Sequence, residues 1–449
     1  MNALAIALIV SCFLASYLAR GLKVLPVYFV LLPELIAGIA LLIVLSRLVV
    51  GKRLQIDGRY LVFVALLLLT MAMGVVAQRV PAGAVVSGLR DYLPVLPLLL
   101  LGAAYPFTSR QIKTQLVVIG LLLLIQVPTA FHQRFFAFAH KMHTGDVVTG
   151  TTTNSGTLSV LMVSGVTVLT VMYLRRRLAL MPLLVMTGFL LVPTMLNETK
   201  ATLVMLPIAM LAPIFFMRRS EKPFRRLMPL VAVFVAIGAA FIGVYNAMIQ
   251  HRNPDSSLQE FWFEGGVLDY VYKGSLEGDE RVGRVDSVQI ALRGISETPM
   301  RAAFGLGIGN VSSAQLPGFE GAYAHYYDAY KISFTQITML LWNLGYMGII
   351  VYALLFYAVF RDAVLLARGS GKDAMLGQIW APIVMIAAMC MFYKAILTNQ
   401  EFIYPFMFYA GIVARRAHAV RQERRAVRRG IATSAAEEVW RPASALVRQ

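Results

Sequence analysis

Residues 60–77 read YLVFVALLLLTMAMGVVA, eighteen positions without an Asp, Glu, Lys, Arg or His. Wound as an α-helix at about 1.5 Å per residue, the run is about 27 Å long, close to the roughly 30 Å hydrocarbon core of a bilayer. The basic, polar stretch GKRLQIDGR stands immediately before it. Runs of the same kind recur from end to end in a chain of 449 residues that is 58% hydrophobic and 14% charged, with a mean hydropathy of +0.69. Length alone allows two or three soluble domains, and this composition removes that option. The sequence predicts an all-α, polytopic integral membrane protein with about 12 transmembrane helices, near 3–19, 26–49, 60–77, 92–107, 112–131, 156–174, 178–196, 201–217, 227–249, 335–360, 378–397 and 402–415. The opening segment lacks a basic n-region and a small-residue cleavage site, so it reads as a retained span.

The formal net charge of +18 raises the possibility of nucleic acid, and its distribution argues against it. With GKRLQIDGR, SRQIK, LRRRL, MRRSEKPFRR, RDAVLLARGSGK and the tail from Arg415 in the cytoplasm, twelve spans alternate consistently and both termini lie inside. By this assignment about 26 Lys and Arg face about 7 acids inside, and about 15 face about 16 outside. The excess charge is therefore a topology signal. The basic tail reads as a solvated segment touching anionic lipid. Cys12 and Cys390 both fall in apolar runs and imply packing, with no disulfide framework or metal cluster.

Four regions follow: 1–249 with spans one to nine, a large outer loop 250–334, 335–415 with spans ten to twelve, and the basic cytoplasmic tail 416–449. Long loops on one face of a helical scaffold are where function concentrates. Within the large loop, residues 260–272 (EFWFEGGVLDYVY) are aromatic and amphipathic, suiting an interfacial element. In residues 283–310, GRVDSVQIALRGISETPMRAAFGLGIGN, Val285, Val288, Leu292 and Ile295 recur at helical spacing, with Gly283 before and Pro299 after. One face of that helix packs, and its arginines are expected to point elsewhere. Gly305, Gly307 and Gly309 have no βαβ surroundings for a dinucleotide fingerprint; they let the backbone approach a ligand or another helix closely.

The outer face gathers Arg79, Arg90, Lys200, Arg281, Arg284, Arg293, Arg301, His325 and Lys331. Arg281 and Arg284 are three apart, which on a helix places them on one face. Paired guanidiniums match phosphate oxygens, so a diphosphate is the natural ligand. Pairing with Asp279, Glu280 or Asp286, or contact with lipid headgroups, is the competing reading for each. Lys200 sits in NETKAT and reaches either the same cavity or the interface. Lys394 and Glu401 flank the last outer hairpin as a mutually neutralising pair. Glu34 reads as the most membrane-embedded acid and supports a transport reading. His325, in GAYAHYYDAY, has the chemistry of a general base. His132, His140 and His143 lack the carboxylate or cysteine partners of a zinc site. With no paired-carboxylate motif to hold a metal, glycosyl chemistry here would activate its leaving group with arginine or lysine.

Taken in order, these motifs resemble the O-antigen ligase and O-antigen polymerase superfamily of bacterial envelope glycan transferases. The resemblance rests on Gly283-Arg284, Ala291-Leu292, Ile295, Pro299 and Phe304-Gly305-Leu306-Gly307, on Asn197 to Ala201, and on Gly150 to Gly156 with Asn154. Lys200 stands where the family motif commonly ends in arginine, and Tyr326 where asparagine is frequent after the loop histidine. The layout covers most of the chain, the motifs about 130 residues. The resemblance implies a cofactor- and metal-independent glycosyltransferase of the bacterial inner membrane. Its donor would be an undecaprenyl-diphosphate-linked glycan, and its acceptor a lipid-linked glycan (polymerase) or a lipid A core sugar (ligase). A chain-length regulator and a flippase are further implied partners. Arg284, with Arg281, Lys200 and Arg90, would bind the diphosphate, and His325 would deprotonate the acceptor. The Lys200 and Tyr326 departures lean toward polymerase. The alternatives are a secondary transporter, whose sites would lie at mid-membrane on broken helices, and a non-catalytic envelope polysaccharide assembly protein.

Overall fold

The computed structural model describes residues 1–52, 54–141, 144–217, 224–250, 271–272, 282–314, 318–327 and 329–428. Every regular element among them is helical. The bundle is built from α1 (Asn2–Ser16), α2 (Leu32–Val49), α3 (Gly58–Gln78), α4 (Ala82–Tyr92), α5 (Val95–Ala104), α6 (Ser109–His132), α8 (Ser155–Leu174), α9 (Leu180–Leu196), α10 (Thr202–Phe216) and α11 (Phe224–Gln250), completed by α14 (Gln336–Ala367), α15 (Gly371–Tyr393) and α16 (Gln400–Arg428). Short α7 (Thr144–Val147) precedes α8, and α12 (Arg284–Ile295) and α13 (Pro299–Phe304) cover one end. Among the described residues, nine helical segments are long and apolar enough to cross a membrane, and Leu180–Leu196 and Thr202–Phe216 are shorter apolar helices. The protein is a multi-pass helical membrane protein.

Several boundaries differ from the sequence reading for local reasons. The segment expected at 92–107 is α4 followed by α5, joined at Pro94, which ends one helix and opens the next. α15 closes at Tyr393, four residues before the expected end, leaving Lys394 in extended backbone. The last helix runs through Arg415 to Arg428, so the first part of the tail is docked. Ala417 is buried, Arg416 donates to the Phe107 carbonyl, and Arg421 pairs with Asp57 and Asp362. Acids from α14 and the start of α3 hold this stretch; residues 429–449 lie outside the described residues.

Cys12 and Cys390 are free and buried, and the Cys390 Sγ lies 3.4 Å from the Met205 Sδ. The core contains α8, whose faces are buried almost all round, and α16, packed along α5 through close backbone approach at Gly102 and Gly411. α14 breaks at Gly345, whose φ of 63° only glycine adopts readily. The spaced glycines explain that break. Residues 304–310 wedge between α3, α4 and α14, and the Leu306 N–H donates to the Trp342 carbonyl at 2.7 Å. Gly307 and Gly309, at φ 84° and 81°, lie on Gly74 and on Ala84 and Gly88. Of the two uses open to these glycines, the structure displays helix contact.

Candidate functional site

Gly283 caps α12 because the backbone of Tyr272 passes over it; a Cβ would overlap the Tyr272 carbonyl. Asp286 in the first turn suits the positive end of the helix. The expected periodicity holds, with a correction: Arg284 lies on the packed face, in register with Ser287, Ala291 and Ile295. It is 7% exposed. Such burial needs partners for the guanidinium. Arg284 Nε donates to the Tyr393 carbonyl at 3.1 Å, one of the end carbonyls that α15 itself cannot satisfy. Its guanidinium also lies 4.7 Å from the Tyr393 ring centroid and 5.0 Å from that of Phe334.

Two further motifs arrive at the same place. Asn154 caps α8, accepting from the Gly156 and Thr157 N–H groups, and Gly156 leaves space for Lys394 and Tyr393. Gly150 and Thr151 are fixed by Gln133 and Gln126 of the preceding helical segment. Asn197 donates to the Ser155 carbonyl at 2.9 Å, tying the NETKAT turn to the α8 cap. Within that turn Glu198 pairs with the buried Arg134 at 2.6 Å.

Lys200, between α9 and α10, is pushed down to about 8, first by burial and further by the Arg284 charge, against the opposing pull of Glu198 and Asp146. Lys394 is also lowered, by burial and then by Arg284. Both ammoniums therefore lie within Coulombic reach of one guanidinium. Among the described residues, the cations Arg134, Lys200, Arg284 and Lys394 lie at this end of the bundle, with Glu198 and Asp146 acting on them. Such a cluster suits a multiply charged anion, whose binding would relieve the mutual repulsion.

The other candidate residues are distributed differently. Arg281 lies outside the described residues. Arg90 donates to Glu34 at 2.7 Å, and Gln400 donates to the same carboxylate at 2.7 Å, forming a separate polar group at the start of α2. Glu34 is thus a paired acid at a helix end; Asp362 and Glu401 are more deeply buried. Glu401 accepts from the Thr153 N–H at 3.0 Å, and no ion pair joins it to Lys394 among the described residues. This corrects the neutralising pair. Arg301 binds Glu297 and reaches Gln78 and Tyr323, Arg293 is exposed, and Arg79 and Lys331 hold positive φ.

His325 is exposed, with its ring 3.8 Å from that of Tyr326. From there a ladder passes through Tyr330 to Trp342, which packs under Gly294. Gly294 and Arg284 are ten residues apart, about 15 Å along α12. Among the described residues, the ring contact of His325 is with Tyr326, and no hydrogen bond or ion pair joins it to Arg284, Lys200 or Lys394. His132 stacks on Phe136, and His143 lies outside the described residues. No group of three or more His, Cys, Asp or Glu among the described residues could hold a metal ion.

Sequence reasoning missed Arg134 and the role of Lys394. Arg134 is invisible as a site residue until Glu198, 64 positions away, folds against it. The break that sets Lys394 beside Arg284 follows from where α15 ends. No known protein-family model matches the chain, and no curated protein matches its sequence.

Proposed function

We propose that the protein is a membrane glycosyltransferase that moves a glycan from a polyprenyl diphosphate, undecaprenyl diphosphate in a bacterial inner membrane, to a sugar hydroxyl. The observation that carries this reading is the gathering of Arg284, Lys200 and Lys394 from three distant segments at one end of an apolar bundle. A diphosphate ester attached to a lipid has chemistry that matches both parts: the anion meets the cations, and the prenyl chain lies against the exposed apolar faces. On this reading all twelve apolar segments cross the membrane and the cluster faces the periplasm.

In the reaction, an acceptor hydroxyl attacks the anomeric carbon, the bond from that carbon to the diphosphate breaks, and the hydroxyl proton passes to a base. The cations offset charge that grows on the departing diphosphate, which is where fixed positive groups accelerate transfer most. A base must come within hydrogen-bond reach of the attacking hydroxyl. His325, in the 324–326 turn, would fill that role for an acceptor laid between it and the cluster. Its exposed position fits contact with the acceptor glycan. Glu34, already bound by Arg90 and Gln400, offers less to the transporter reading than an unengaged acid would.

The test is to extract lipid-linked saccharides from a strain lacking the protein and to size them. Single repeat units on the carrier indicate a polymerase and long unattached chains a ligase; accumulation of neither overturns the transferase reading. Complementation with Arg284→Ala should fail while the protein persists in the membrane, and full activity in that variant refutes the assigned role of Arg284.

A further inference from the structure

At the opposite end of the bundle a cavity of about 450 Å³ opens between the start of α3, the last turns of α14 and the docked tail of α16. Four guanidiniums line or border it: Arg59, Arg361, Arg421 and Arg425. Two are already engaged. Arg59 and Arg421 each bind both Asp57 and Asp362, and His418 Nδ1 lies 2.8 Å from the remaining Asp57 oxygen. Tyr60 donates to Asp362 at 2.7 Å, completing the shell of that buried carboxylate. Arg361 and Arg425 are exposed, and neither has an acidic partner among the described residues. Two carboxylates therefore face four guanidiniums, and the cavity is short of negative charge on the side lined by Arg361 and Arg425.

What lies beside the cavity identifies the anion. Tyr357, Leu354 and Ile350 precede Arg361 on α14 at spacings that keep them on its face, and all three are exposed. On α3, Leu61, Val62, Leu68 and Leu69 are also exposed. The two helices pack together, with the Phe63 and Tyr352 rings 6.0 Å apart, so their apolar stripes run side by side. Both belong to segments long enough to span the membrane. Arg59 lies in the first turn of α3, and Arg361 about 9 Å from the end of α14, depths at which headgroup phosphates sit.

We propose that this cavity is a headgroup site for an anionic phospholipid, its phosphate held by Arg361 and Arg425 and its acyl chains lying along the α3 and α14 stripes. Arg59, Arg421, Asp57 and Asp362 form the fixed wall that positions the headgroup. The inference does not depend on the glycan reading, because the site lies at the other end of the molecule and uses none of the same residues.

The experiment titrates the full-length protein, in a neutral detergent, with phosphatidylglycerol and with phosphatidylcholine, reading bound lipid by native mass spectrometry. The wild type should retain phosphatidylglycerol selectively. An arginine near an anionic lipid surface contributes about fivefold in affinity, so Arg361→Gln with Arg425→Gln should weaken phosphatidylglycerol about thirtyfold. The control Arg110→Gln with Lys113→Gln changes two exposed cations at the same end but outside the cavity and should leave affinity unchanged. Wild-type affinity in the first pair, or an equal loss in the control, overturns the proposal. Displacement of the lipid by millimolar inorganic phosphate assigns the cavity to a soluble anion and overturns it too. If the double variant is not monodisperse, Arg425→Gln alone should lose about fivefold, and an unchanged affinity refutes the site.

Discussion

Lys200 makes the proposed diphosphate site dependent on pH in a direction that can be worked out in advance. Burial and the Arg284 charge bring its pKa from 10.5 to about 8. The displacement corresponds to about 3 kcal/mol of unfavourable interaction in the charged form, before any ligand binds. A diphosphate laid across Lys200, Arg284 and Lys394 favours that charged form and raises the pKa in the complex. A lowered lysine pKa in the free protein means that the charge is present below pH 8 and lost as pH rises through it. Lys200 is about nine-tenths protonated at pH 7 and about one-tenth at pH 9, so affinity should fall about tenfold between them. Lys394, shifted in the same direction, steepens the fall. Isothermal titration of farnesyl diphosphate into the detergent-solubilised protein at pH 7, 8 and 9, in two buffers of different ionisation enthalpy, measures both the affinity and the proton taken up. Lys200→Arg should reduce the pH dependence, because a guanidinium stays charged throughout. Affinity that is equal or stronger at pH 9, or proton release on binding, would refute the reasoning.

Gly309→Ala should destabilise the protein by at least about 2 kcal/mol, since φ is 81° and the new Cβ would overlap the Ala84 carbonyl. Gly120→Ala, on a helix with nothing within 4 Å of its added Cβ, should be neutral or stabilising by up to about 1 kcal/mol; equal melting temperatures for the two variants in detergent would show that the glycine wedge is not needed. Glu34→Gln removes the partner of Arg90 away from the cation cluster, so glycan transfer should stay within about twofold of wild type. Abolished transfer in a stably inserted Glu34→Gln protein would place the chemistry at that second polar group instead.

The parts of this protein that were legible in its sequence are those where one periodicity has one physical meaning. Apolar runs such as 60–77 became helices because a backbone in hydrocarbon must satisfy its own hydrogen bonds. Residues 284–295 became a helix because Val288, Leu292 and Ile295 mark one face. The same pattern misplaced Arg284, since a rule that sorts charge outward fails where distant groups receive the charge. Those groups are the end carbonyl of α15 and two rings, and nothing near residue 284 announces them. Lys394 was misread for a related reason: its neighbour in sequence, Glu401, is turned toward the Thr153 backbone. Both errors came from placing a charge by its local sequence, when the groups that receive it are distant along the chain.

The paired charges that secure the fold and the clustered charges at the two ends also behave differently. Arg134 with Glu198, Arg90 with Glu34, and Arg421 with Asp362 each place a cation on an acid, and such pairs hold segments in place. At one end Lys200, Arg284 and Lys394 are held near each other despite repulsion; at the other Arg361 and Arg425 lack acids among the described residues. Folding alone gains nothing from setting Arg361 and Arg425 on one cavity beside well-satisfied pairs, so that end suits an anion supplied from outside the chain. The half-buried end cluster, with its lowered lysines, suits a ligand that enters and leaves. The exposed arginines beside the lipid-facing stripes suit one that stays. This difference predicts that extensive delipidation should impair stability before it impairs diphosphate binding, whereas raising the pH from 7 to 9 should weaken diphosphate binding with little change in retained phosphatidylglycerol.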